Sequence, residues 1–281
     1  MSDSETNARR KQFWLLFAGL PLLALLIAGG WWFSLPTSTG PANGTALLGN
    51  PASAPTGSSL RLGTFNIDGG QGIDGIVDLS RTARCMQHLD FIGMNEVHGF
   101  AGTDPANQAE ILSGLLHLPY LYVPAEHRWG HDSFGNAMFT DLSVQYWQRV
   151  VLPSAPLHAL RNYLLTEVRW NDTTVEVLTT HTDWKTGGDE QLKIVSDLFT
   201  TLPTPAILMG DLNHTARDPQ IEKLLHNPNV QEAVSTILGP DPKGRVDWIF
   251  LRGLTTEDAG SVDFGASDHP AYWAQVKLSS S

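Results

Sequence analysis

Short apolar runs alternate with helix-like segments from residue 60 to the end of the chain, and this alternation constrains the fold more than any other feature. Runs such as "LRLGTFNI", "LDFIGMNEV", "RNYLLTEVRW" and "PAILMGD" indicate strands, several of which follow one another with only short turns between them. Amphipathic spacing predicts helices over 73–89, 104–118, 189–202 and 219–226. This mixed order predicts one α/β domain of packed sheets with helices outside, and it disfavours a simple doubly wound sheet.

Polar side chains follow the apolar part of several of these strands. The run "AILMGDLN" ends in Asp211 and Asn213, and "VLTTH" ends in His181. Each such residue is also what a turn would use, so the evidence lies in the recurrence. The other strand-end residues of this type are Asn66, Asp68, Glu96, Asp268 and His269. Because α/β proteins keep their sites beyond the ends of strands, the recurrence predicts one shared site.

The residue types at these strand ends favour metal-assisted chemistry on an anion. Oxygen donors such as Asn66, Asp68 and Glu96 suit Mg²⁺ or Mn²⁺, which keep several waters and take only a few protein oxygens. Asp211 and Asn213 lie two residues apart on a segment predicted to be extended, which would point both side chains to the same side. One can accept a proton while the other donates a hydrogen bond to an oxyanion.

Taken in order, these segments resemble the endonuclease/exonuclease/phosphatase superfamily, which includes DNase I-like nucleases, inositol-polyphosphate phosphatases and neutral sphingomyelinases. The resemblance spans residues 60–281 and rests on "TFNID", "NEV", "FGNAMFT", "TTHTDW", "MGDLN", "RVDWIF" and "SDH". The G-D-x-N motif and the terminal S-D-H are its most specific parts. It implies a four-layered α/β sandwich and divalent-metal-dependent cleavage of a phosphoester.

The resemblance also implies metal ligands. Asn66 and Glu96 match the family's metal-binding Asn and Glu, and Asp268 would lie near the metal. Asp68 matches an acid that only part of the family carries, so it is either a further metal contact or a turn residue. Where many family members have Gln before the metal-binding Glu, this chain has Asn95, which leaves the surroundings of the metal open. The implied cofactor is Mg²⁺ or Mn²⁺.

Five further residues match the family's reacting groups. His181 would contact the phosphate or the leaving oxygen, and Asp211 would orient or deprotonate the attacking water. Asn213 would hold a non-bridging oxygen, and Asp247 matches the carboxylate partner of His269. A buried carboxylate would fix the imidazole of His269 and favour its protonated form, as a phosphate-facing cation requires.

Four other polar residues lie near these motifs. Asn136 and Arg161 match family positions near the phosphate, although either could instead be structural. His131, which precedes the strand of Asn136, is a further candidate for a substrate contact. His214 directly follows the G-D-x-N motif but matches no family position, and we predict a solvated loop residue there.

The charge of the domain bears on its substrate. Residues 60–281 carry 15 basic and 27 acidic side chains, since the first 59 residues contain 3 of the chain's 18 basic and 2 of its 29 acidic residues. An excess of 12 negative charges repels nucleic-acid backbones, and the basic residues form no cluster beyond the pair Lys243 and Arg245. A lipid head group or small phosphoester is therefore favoured, with a DNA or RNA nuclease as the alternative. A catalytically inert binding module would show a broken set, whereas His181 and Asp211 are both present.

A run of 21 uncharged residues, 13–33, precedes the domain. It is long enough to cross about 30 Å of hydrocarbon, and Trp14 and Trp31 suit the two interfaces. Basic residues at positions 9–11 precede the run, and none follows it until Arg61. The positive-inside rule then predicts a single-pass anchor with a cytoplasmic N-terminus. A cleaved signal peptide is the alternative, but the run is longer than a usual signal and no A-x-A-like site follows it closely.

The remaining segments follow from this anchor. Residues 1–12 are predicted to be cytoplasmic, and residues 60–281 to lie on the extracytoplasmic side, in a periplasm or outside the cell. Residues 34–59 contain no charge and are rich in Ser, Thr, Pro and Gly, which predicts a flexible linker of on the order of 25 to 30 Å. Such a linker keeps the domain near the membrane, where lipid head groups reach a high effective concentration. A nuclease anchored in the same way would share this architecture. No protein partner is predicted.

Overall fold

The computed structural model describes residues 43–49, 57–99, 107–127, 133–155, 158–185, 187–240 and 244–279, together with residues 21 and 25. The predicted cytoplasmic segment and, apart from Pro21 and Leu25, the predicted anchor lie outside the described residues, as does His131. Within the described ranges, no helix combines the length and the apolar character needed to cross a bilayer.

The described part of the chain contains strands and helices in the mixed order that the sequence predicts. The strands are β1 (Asn43–Gly44), β2 (Leu60–Asn66), β3 (Phe91–His98), β4 (Tyr120–His127), β5 (Ser133–Thr140), β6 (Ser143–Val151), β7 (Asn162–Trp170), β8 (Thr173–His181), β9 (Ala206–Asp211), β10 (Gln231–Glu232), β11 (Asp247–Arg252), β12 (Leu254–Val262) and β13 (Ala271–Leu278). The helices are α1 (Leu79–Cys85), α2 (Gln108–Leu116), α3 (Gly188–Thr201), α4 (Pro219–Leu225) and α5 (Ala233–Leu238), and Asp68–Gly70 forms one turn of 3-10 helix.

The strands form two mixed sheets that pack face to face. One has the order β12-β13-β2-β3-β5-β4, and the other has the order β1-β6-β7-β8-β9-β11-β10. Leu62 of the first sheet and Met209 of the second belong to one buried apolar cluster between them. A second cluster includes Phe65 and Leu112 and covers the outer face of the first sheet, and a third includes Phe199 and Leu208 on the outer face of the second. The predicted arrangement of two packed sheets with helices outside is confirmed.

The strand β9 shows why its sequence is a continuous apolar run. It pairs in parallel with β8 and antiparallel with β11, and all of its residues are buried. A strand covered on both faces has no solvent side, so apolar residues occupy every position up to Gly210 rather than every second one. The first polar side chain of the strand, Asp211, therefore comes at its carboxyl end.

The predicted helix over 73–89 is shorter than expected. Only Leu79–Cys85 is helical, and Asp78 caps its first turn by accepting a hydrogen bond from the backbone N–H of Arg81. The apolar spacing before Asp78 belongs to a loop, because Gly75 takes a positive φ of 76° that ends any regular helix. Residues 71–78 consequently hold apolar side chains in a surface loop.

Part of the predicted flexible linker lies against the domain instead. Asn43 pairs with Gln148 and Gly44 with Trp147, so β1 adds an edge strand beside β6. The indole Nε1 of Trp147 donates to the carbonyl of Ala46 at 3.2 Å. Edge pairing of this kind depends on a partner strand about 100 residues away, which composition alone does not reveal.

Candidate active site

Three neighbouring strands bring polar side chains into one row. In the pairing of β8 with β9, His181 lies opposite Asp211, and in the pairing of β9 with β11, Asp211 lies opposite Asp247. Side chains in register on adjacent strands are close neighbours. The sheet register therefore places three of the sequence-predicted residues side by side at the carboxyl end of β9.

The two sheets meet at Asp211. Asn66, at the end of β2, donates from its Nδ2 to Oδ2 of Asp211 at 3.0 Å. Asn95, in β3, accepts a hydrogen bond from the backbone N–H of Asp211 at 2.9 Å. Both amides come from the first sheet and bind a residue of the second. Packing of the two sheets thus fixes both the backbone and the carboxylate of Asp211.

The backbone around Asp211 is shaped by two unusual conformations. Gly210 has a φ of 142°, and a Cβ at this position would lie 1.9 Å from the carbonyl oxygen of Thr180 on the neighbouring strand, so only glycine fits. Asn213 has a φ of 53°, and Oδ1 of Asp211 accepts its backbone N–H at 2.8 Å. The expectation that Asp211 and Asn213 share one side of an extended segment is therefore wrong, since a tight turn brings them together.

The carboxylate of Asp211 is buried and has an unusual acidity. It is 1% exposed. Burial, together with the negative charge of Asp247, raises its pKa to about 7, although the charge of His269 and the hydrogen bonds from Asn66 and Asn213 act in the opposite direction. A carboxylate with a pKa near neutrality is suited to accept a proton from water.

His269 faces this carboxylate from the loop before β13. Its Nδ1 lies 2.7 Å from Oδ2 of Asp247, and its Nε2 lies 3.9 Å from Oδ2 of Asp211. Burial alone would lower the pKa of His269, but the hydrogen bond to Asp247 and the charges of Asp247, Asp211 and Asp268 raise it to about 9. The imidazole is therefore protonated at neutral pH, and its Nε2–H is directed at the site.

His181 has the opposite protonation state. Its side chain is buried, and burial together with the positive charges of Arg161 and His269 holds its pKa well below the usual range. Nδ2 of Asn213 lies 3.0 Å from Nε2 of His181 and donates to the carbonyl of Thr182 at 2.8 Å. Because an amide N–H can only donate, Nε2 of neutral His181 accepts this hydrogen bond.

Three carboxylates lie on the first-sheet side of the row. A bulge in β3 gives Glu96 a positive φ of 58°, and Asp68 begins the 3-10 turn after β2 with a φ of 45°. Burial raises the pKa of Glu96, and the negative charges of Asp68 and Asp268 raise it further. The charge of Arg161 and the hydrogen bond from Asn66 lower it. Burial and the charge of Asp268 likewise raise the pKa of Asp68, against the charges of His98 and His269. The charges of Asp68 and Asp268 thus act on Glu96, and that of Asp268 acts on Asp68, so the three acids lie in one neighbourhood.

These carboxylates fit a hard divalent cation. Within the described ranges, none of Asp68, Glu96 and Asp268 forms an ion pair with Lys or Arg. Their oxygens do not all lie within 4.8 Å of one another, which suits an ion that keeps several waters and takes only one or two carboxylates directly. Nε2 of neutral His181 lies 3.8 Å from Oε1 of Glu96. Converging acids without a Lys or Arg partner, next to the amide of Asn66, form the donor set that Mg²⁺ or Mn²⁺ prefers.

Two other clusters of described residues have more closely spaced donor atoms. Asp211, Asp247 and His269 come within 4.8 Å of one another, yet a protonated imidazole offers no lone pair to a metal. Asp189, His214 and Asp218 form the second cluster. The ring of His214 is not solvated as predicted: its side chain is 10% exposed, and Nδ1 lies 2.5 Å from the carbonyl of Leu212. It lies outside the row, as the family pattern implies.

The two described candidates for substrate contacts differ in their surroundings. Arg161 is 8% exposed, its guanidinium lies 5.6 Å from the centre of the Phe134 ring, and its Nε has no hydrogen-bond partner among the described residues. Its charge lowers the pKa of both Glu96 and His181, so the guanidinium faces the site. Asn136 has both ends of its amide occupied, since Oδ1 accepts from Asn95 at 2.8 Å and Nδ2 donates to Oδ1 of Asn162 at 2.8 Å.

Three residues that sequence reasoning did not assign hold the site together. Asn95 and Asn162 belong to the chain of buried amides through Asn136, and Asn162 donates onward to the carbonyl of Pro124 at 3.0 Å. Ser267 donates to the carbonyl of Asn66 at 2.7 Å and accepts the backbone N–H of His269 at 3.2 Å. Asn95 directly precedes Glu96, and Ser267 begins the S-D-H motif, so the sequence offered a signal for both. Asn162 carries no such signal.

Solved structures with the same architecture are available for comparison. An endonuclease/exonuclease/phosphatase from Beutenbergia cavernae DSM 12333 gives a TM-score of 0.62 at 22% identity, covering 78% of this chain and 72% of that one. TDP2 from D. rerio, solved with a single strand DNA product, gives 0.58 at 18% identity, covering 79% and 100%. The human Nocturnin catalytic domain, with bound sulfate anion, gives 0.59 at 16% identity, covering 82% and 96%. At these identities the likeness establishes the fold.

A search of curated proteins finds no match. A profile of the endonuclease/exonuclease/phosphatase family, by contrast, matches residues 63–269, which include every strand-end residue of the candidate site. Because this match covers well over half of the chain and accompanies the same fold, the protein belongs to the endonuclease/exonuclease/phosphatase family.

Proposed function

We propose that the protein is a divalent-metal-dependent phosphoester hydrolase. One geometric observation carries the proposal: the buried carboxylate of Asp211 lies 3.9 Å from Nε2 of His269, whose Nδ1 is held 2.7 Å from the carboxylate of Asp247. The pair offers a base for water and a cation for phosphate in one place. Membership of the family supports the reaction class.

Asn66 and Glu96 would hold the metal ion, with Asp268 beside it and Asp68 as a further oxygen donor. When bound, the ion supplies positive charge to the phosphate oxygens and withdraws electrons from phosphorus. The convergence of these acids, and the absence of Lys or Arg ion pairs to them within the described residues, support this assignment.

The chain's own residues supply the rest of the chemistry. Asp211 orients the attacking water and takes its proton, which burial and the neighbouring Asp247 make possible near neutral pH. His269 donates from Nε2 to a phosphate oxygen, and its charge offsets the negative charge that grows as the water attacks. Neutral His181 and Asn213 lie beside Asp211 and would contact the phosphate or the leaving oxygen, for which Asn213 must exchange its hydrogen bond to His181 or to the carbonyl of Thr182. The amide network of Asn95 keeps the backbone of Asp211 in place.

Arg161 is the best-supported substrate contact outside the row. A guanidinium that is almost fully buried, with an unpartnered Nε, retains hydrogen-bonding capacity that a phosphate can satisfy. Asn136 is a weaker candidate, because contact with the substrate would have to break its hydrogen bonds to Asn95 and Asn162. His131 stays a sequence-based proposal.

The favoured substrate is a lipid head group or another small phosphoester. Residues 13–33 would hold the enzyme at a membrane, with the domain on the extracytoplasmic side. Support comes from the uncharged anchor-like run and from the excess of 12 negative charges over residues 60–281. A nuclease is the second candidate, because the similar D. rerio TDP2 was solved with a single strand DNA product. The hydrolysed bond is that of a phosphodiester or a phosphomonoester.

Side-by-side hydrolysis assays test the proposal. The full chain is assayed in Mg²⁺ and in EDTA on sphingomyelin, phosphoinositides, plasmid DNA, and bis(4-nitrophenyl) phosphate, with His269→Ala as the matched inactive variant. We expect Mg²⁺-dependent turnover of at least one lipid or aryl phosphoester and loss of that turnover in the variant. Turnover of plasmid DNA alone would replace the favoured substrate with the nuclease alternative. No turnover of any substrate would refute the reaction class.

A further inference from the structure

Four large apolar side chains are exposed beside the candidate active site. Ile73, Ile76, Val77 and Phe264 are 78%, 61%, 59% and 57% exposed. We call this set the apolar rim. Its two loops touch, since the backbone N–H of Ile73 donates to the carbonyl of Gly265 at 3.2 Å. Clustered exposed apolar residues, unlike single ones, mark surfaces that contact another apolar body.

The apolar rim is held in a fixed conformation. Arg81 forms two hydrogen bonds to the carboxylate of Asp74, at 2.8 and 2.9 Å. Within the loop of residues 71–78, the backbone N–H of Gly72 donates to the carbonyl of Ile76 at 3.0 Å. Asp74 also accepts the backbone N–H of Ile76 at 3.0 Å. The exposed side chains are therefore presented by an ordered loop, and little conformational entropy is lost when they contact a partner.

The apolar rim lies at the same end of the sheets as the row of His181, Asp211 and Asp247. The loop of residues 71–78 follows the 3-10 turn of Asp68 at the carboxyl end of β2, and Phe264 precedes Asp268 in the loop that leads into β13. A surface that contacts the apolar rim would consequently lie next to the proposed metal ligands.

The direction of β1 also points to that end. Strand β1 is antiparallel to β6, with Asn43 opposite Gln148 and Gly44 opposite Trp147. Traced back from Gly44, the chain therefore runs toward Val151, which pairs with Asn162 at the level of the active site. Only nine residues, 34–42, separate Asn43 from the predicted anchor, and nine residues span at most about 30 Å.

From these observations we infer that the active-site end of the domain rests on a lipid bilayer through the apolar rim. The inference rests on the proposed hydrolase function and narrows it to a phosphoester displayed at a membrane surface. The short upstream segment, the direction of β1 and the position of the apolar rim all place the bilayer at one end of the domain. Because the domain is acidic, apolar contact rather than charge attraction would hold it there.

Site-specific quenching tests the contact without any need for catalysis. In full-chain protein with its only cysteine replaced, Cys85→Ala, a fluorescent probe is attached at Ile76→Cys or, as the matched control at the opposite end of β13, at Leu278→Cys. Each protein is reconstituted into phosphatidylcholine vesicles that contain a quencher in the upper acyl chain. A rim buried 5–10 Å in the interface predicts quenching about tenfold stronger at position 76 than at position 278.

An activity comparison then tests the substrate class. The double change Ile76→Ser and Phe264→Ser should lower kcat/KM for sphingomyelin or phosphoinositide in vesicles by at least about tenfold, since each large apolar side chain contributes about that factor to partitioning. Turnover of soluble bis(4-nitrophenyl) phosphate should stay within about twofold of the unaltered protein, because the change leaves the reacting groups in place. Leu278→Ser should leave both activities unchanged.

The outcomes separate this inference from the proposed function. Equal quenching at positions 76 and 278, or a dimer in detergent with no quenching at position 76, would overturn the bilayer contact even if the enzyme hydrolyses its substrates. Vesicle activity that the double change leaves intact would overturn the substrate class. Strong quenching at position 76 without any hydrolysis would support the contact and refute the hydrolase function.

Discussion

Replacing Asp247 with asparagine should move the whole pH range of activity toward acid. Asp247 raises the pKa of both Asp211 and His269. The two groups have opposite requirements, because Asp211 must lose its proton and His269 must keep its own. In the native protein the active form exists between a pKa of about 7 and a pKa of about 9. Asparagine still accepts the hydrogen bond from Nδ1 of His269 but carries no charge, so both limits fall.

The size of the effect follows from these values. Without the carboxylate, the pKa of His269 falls from about 9 toward its ordinary value of 6.5, a change worth roughly 3 kcal/mol in the stability of the imidazolium. At pH 8 a group with a pKa of 9 is about nine-tenths protonated, whereas one with a pKa of 6.5 is about one-thirtieth protonated. Activity of Asp247→Asn at pH 8 should therefore fall by up to about thirty-fold, since the charges of Asp211 and Asp268 remain. Near pH 6 most of that loss should disappear, because His269 is protonated again and Asp211 ionises more readily.

The assay is a pH profile of kcat/KM for bis(4-nitrophenyl) phosphate at saturating Mg²⁺, with the native protein and Asp247→Asn measured in the same buffers. Asp258→Asn, a change to a surface carboxylate in β12, is the matched control and should leave the profile unchanged. A loss of activity of equal size at pH 6 and pH 8 would refute the electrostatic role of Asp247, since a purely geometric defect has no pH dependence.

Three further changes test other parts of the site. Glu96→Gln should raise the Mg²⁺ concentration needed for half-maximal activity about tenfold or more, because it removes a charged oxygen donor; an unaltered metal titration would argue against it. Arg161→Leu should raise KM more than it lowers kcat, through loss of a contact to the bound phosphate, and a KM equal to the native value would remove Arg161 from the site. Asn95→Ala should cost about 1–3 kcal/mol in the free energy of unfolding, measured by denaturant titration, because it leaves the buried N–H of Asp211 without a partner; full retention of stability would contradict the role of this amide.

The sequence predicts most of the buried strands, because burial leaves a clear pattern. Strand β9 is a continuous apolar run, and its end at Asp211 is visible in the letters. Strands β4 and β12 were not predicted, since β4 contains Pro124 and β12 contains Glu257, Asp258 and Gly260, which usually mark loops. Both lie at edges of their sheet, where a strand tolerates proline and charged residues that a central strand excludes.

The sequence predicts those site residues that each lie at an end of their own strand. Parallel and antiparallel register of β8, β9 and β11 brings together His181 and Asp211, which the polar strand ends indicate, and Asp247, which the family resemblance implies. Hydrogen bonds between the two sheets were not predictable, because the amides of Asn95 and Asn162 reach their partners only through the packing of separate sheets. The same limit applies to the apolar rim, whose isoleucines have the spacing of a helix but lie in a loop.

The most direct test of hydrolysis at this site compares the full-length native chain with Asp211→Asn. Turnover of bis(4-nitrophenyl) phosphate is measured in Mg²⁺ and in EDTA, together with the melting temperature of each protein. We predict Mg²⁺-dependent turnover in the native chain, a loss of at least about a hundredfold in Asp211→Asn, and melting temperatures within a few degrees of each other, because asparagine keeps the size of the side chain while removing a buried charge. Native turnover that persists in EDTA, or an Asp211→Asn protein as active as the native one, would contradict the account.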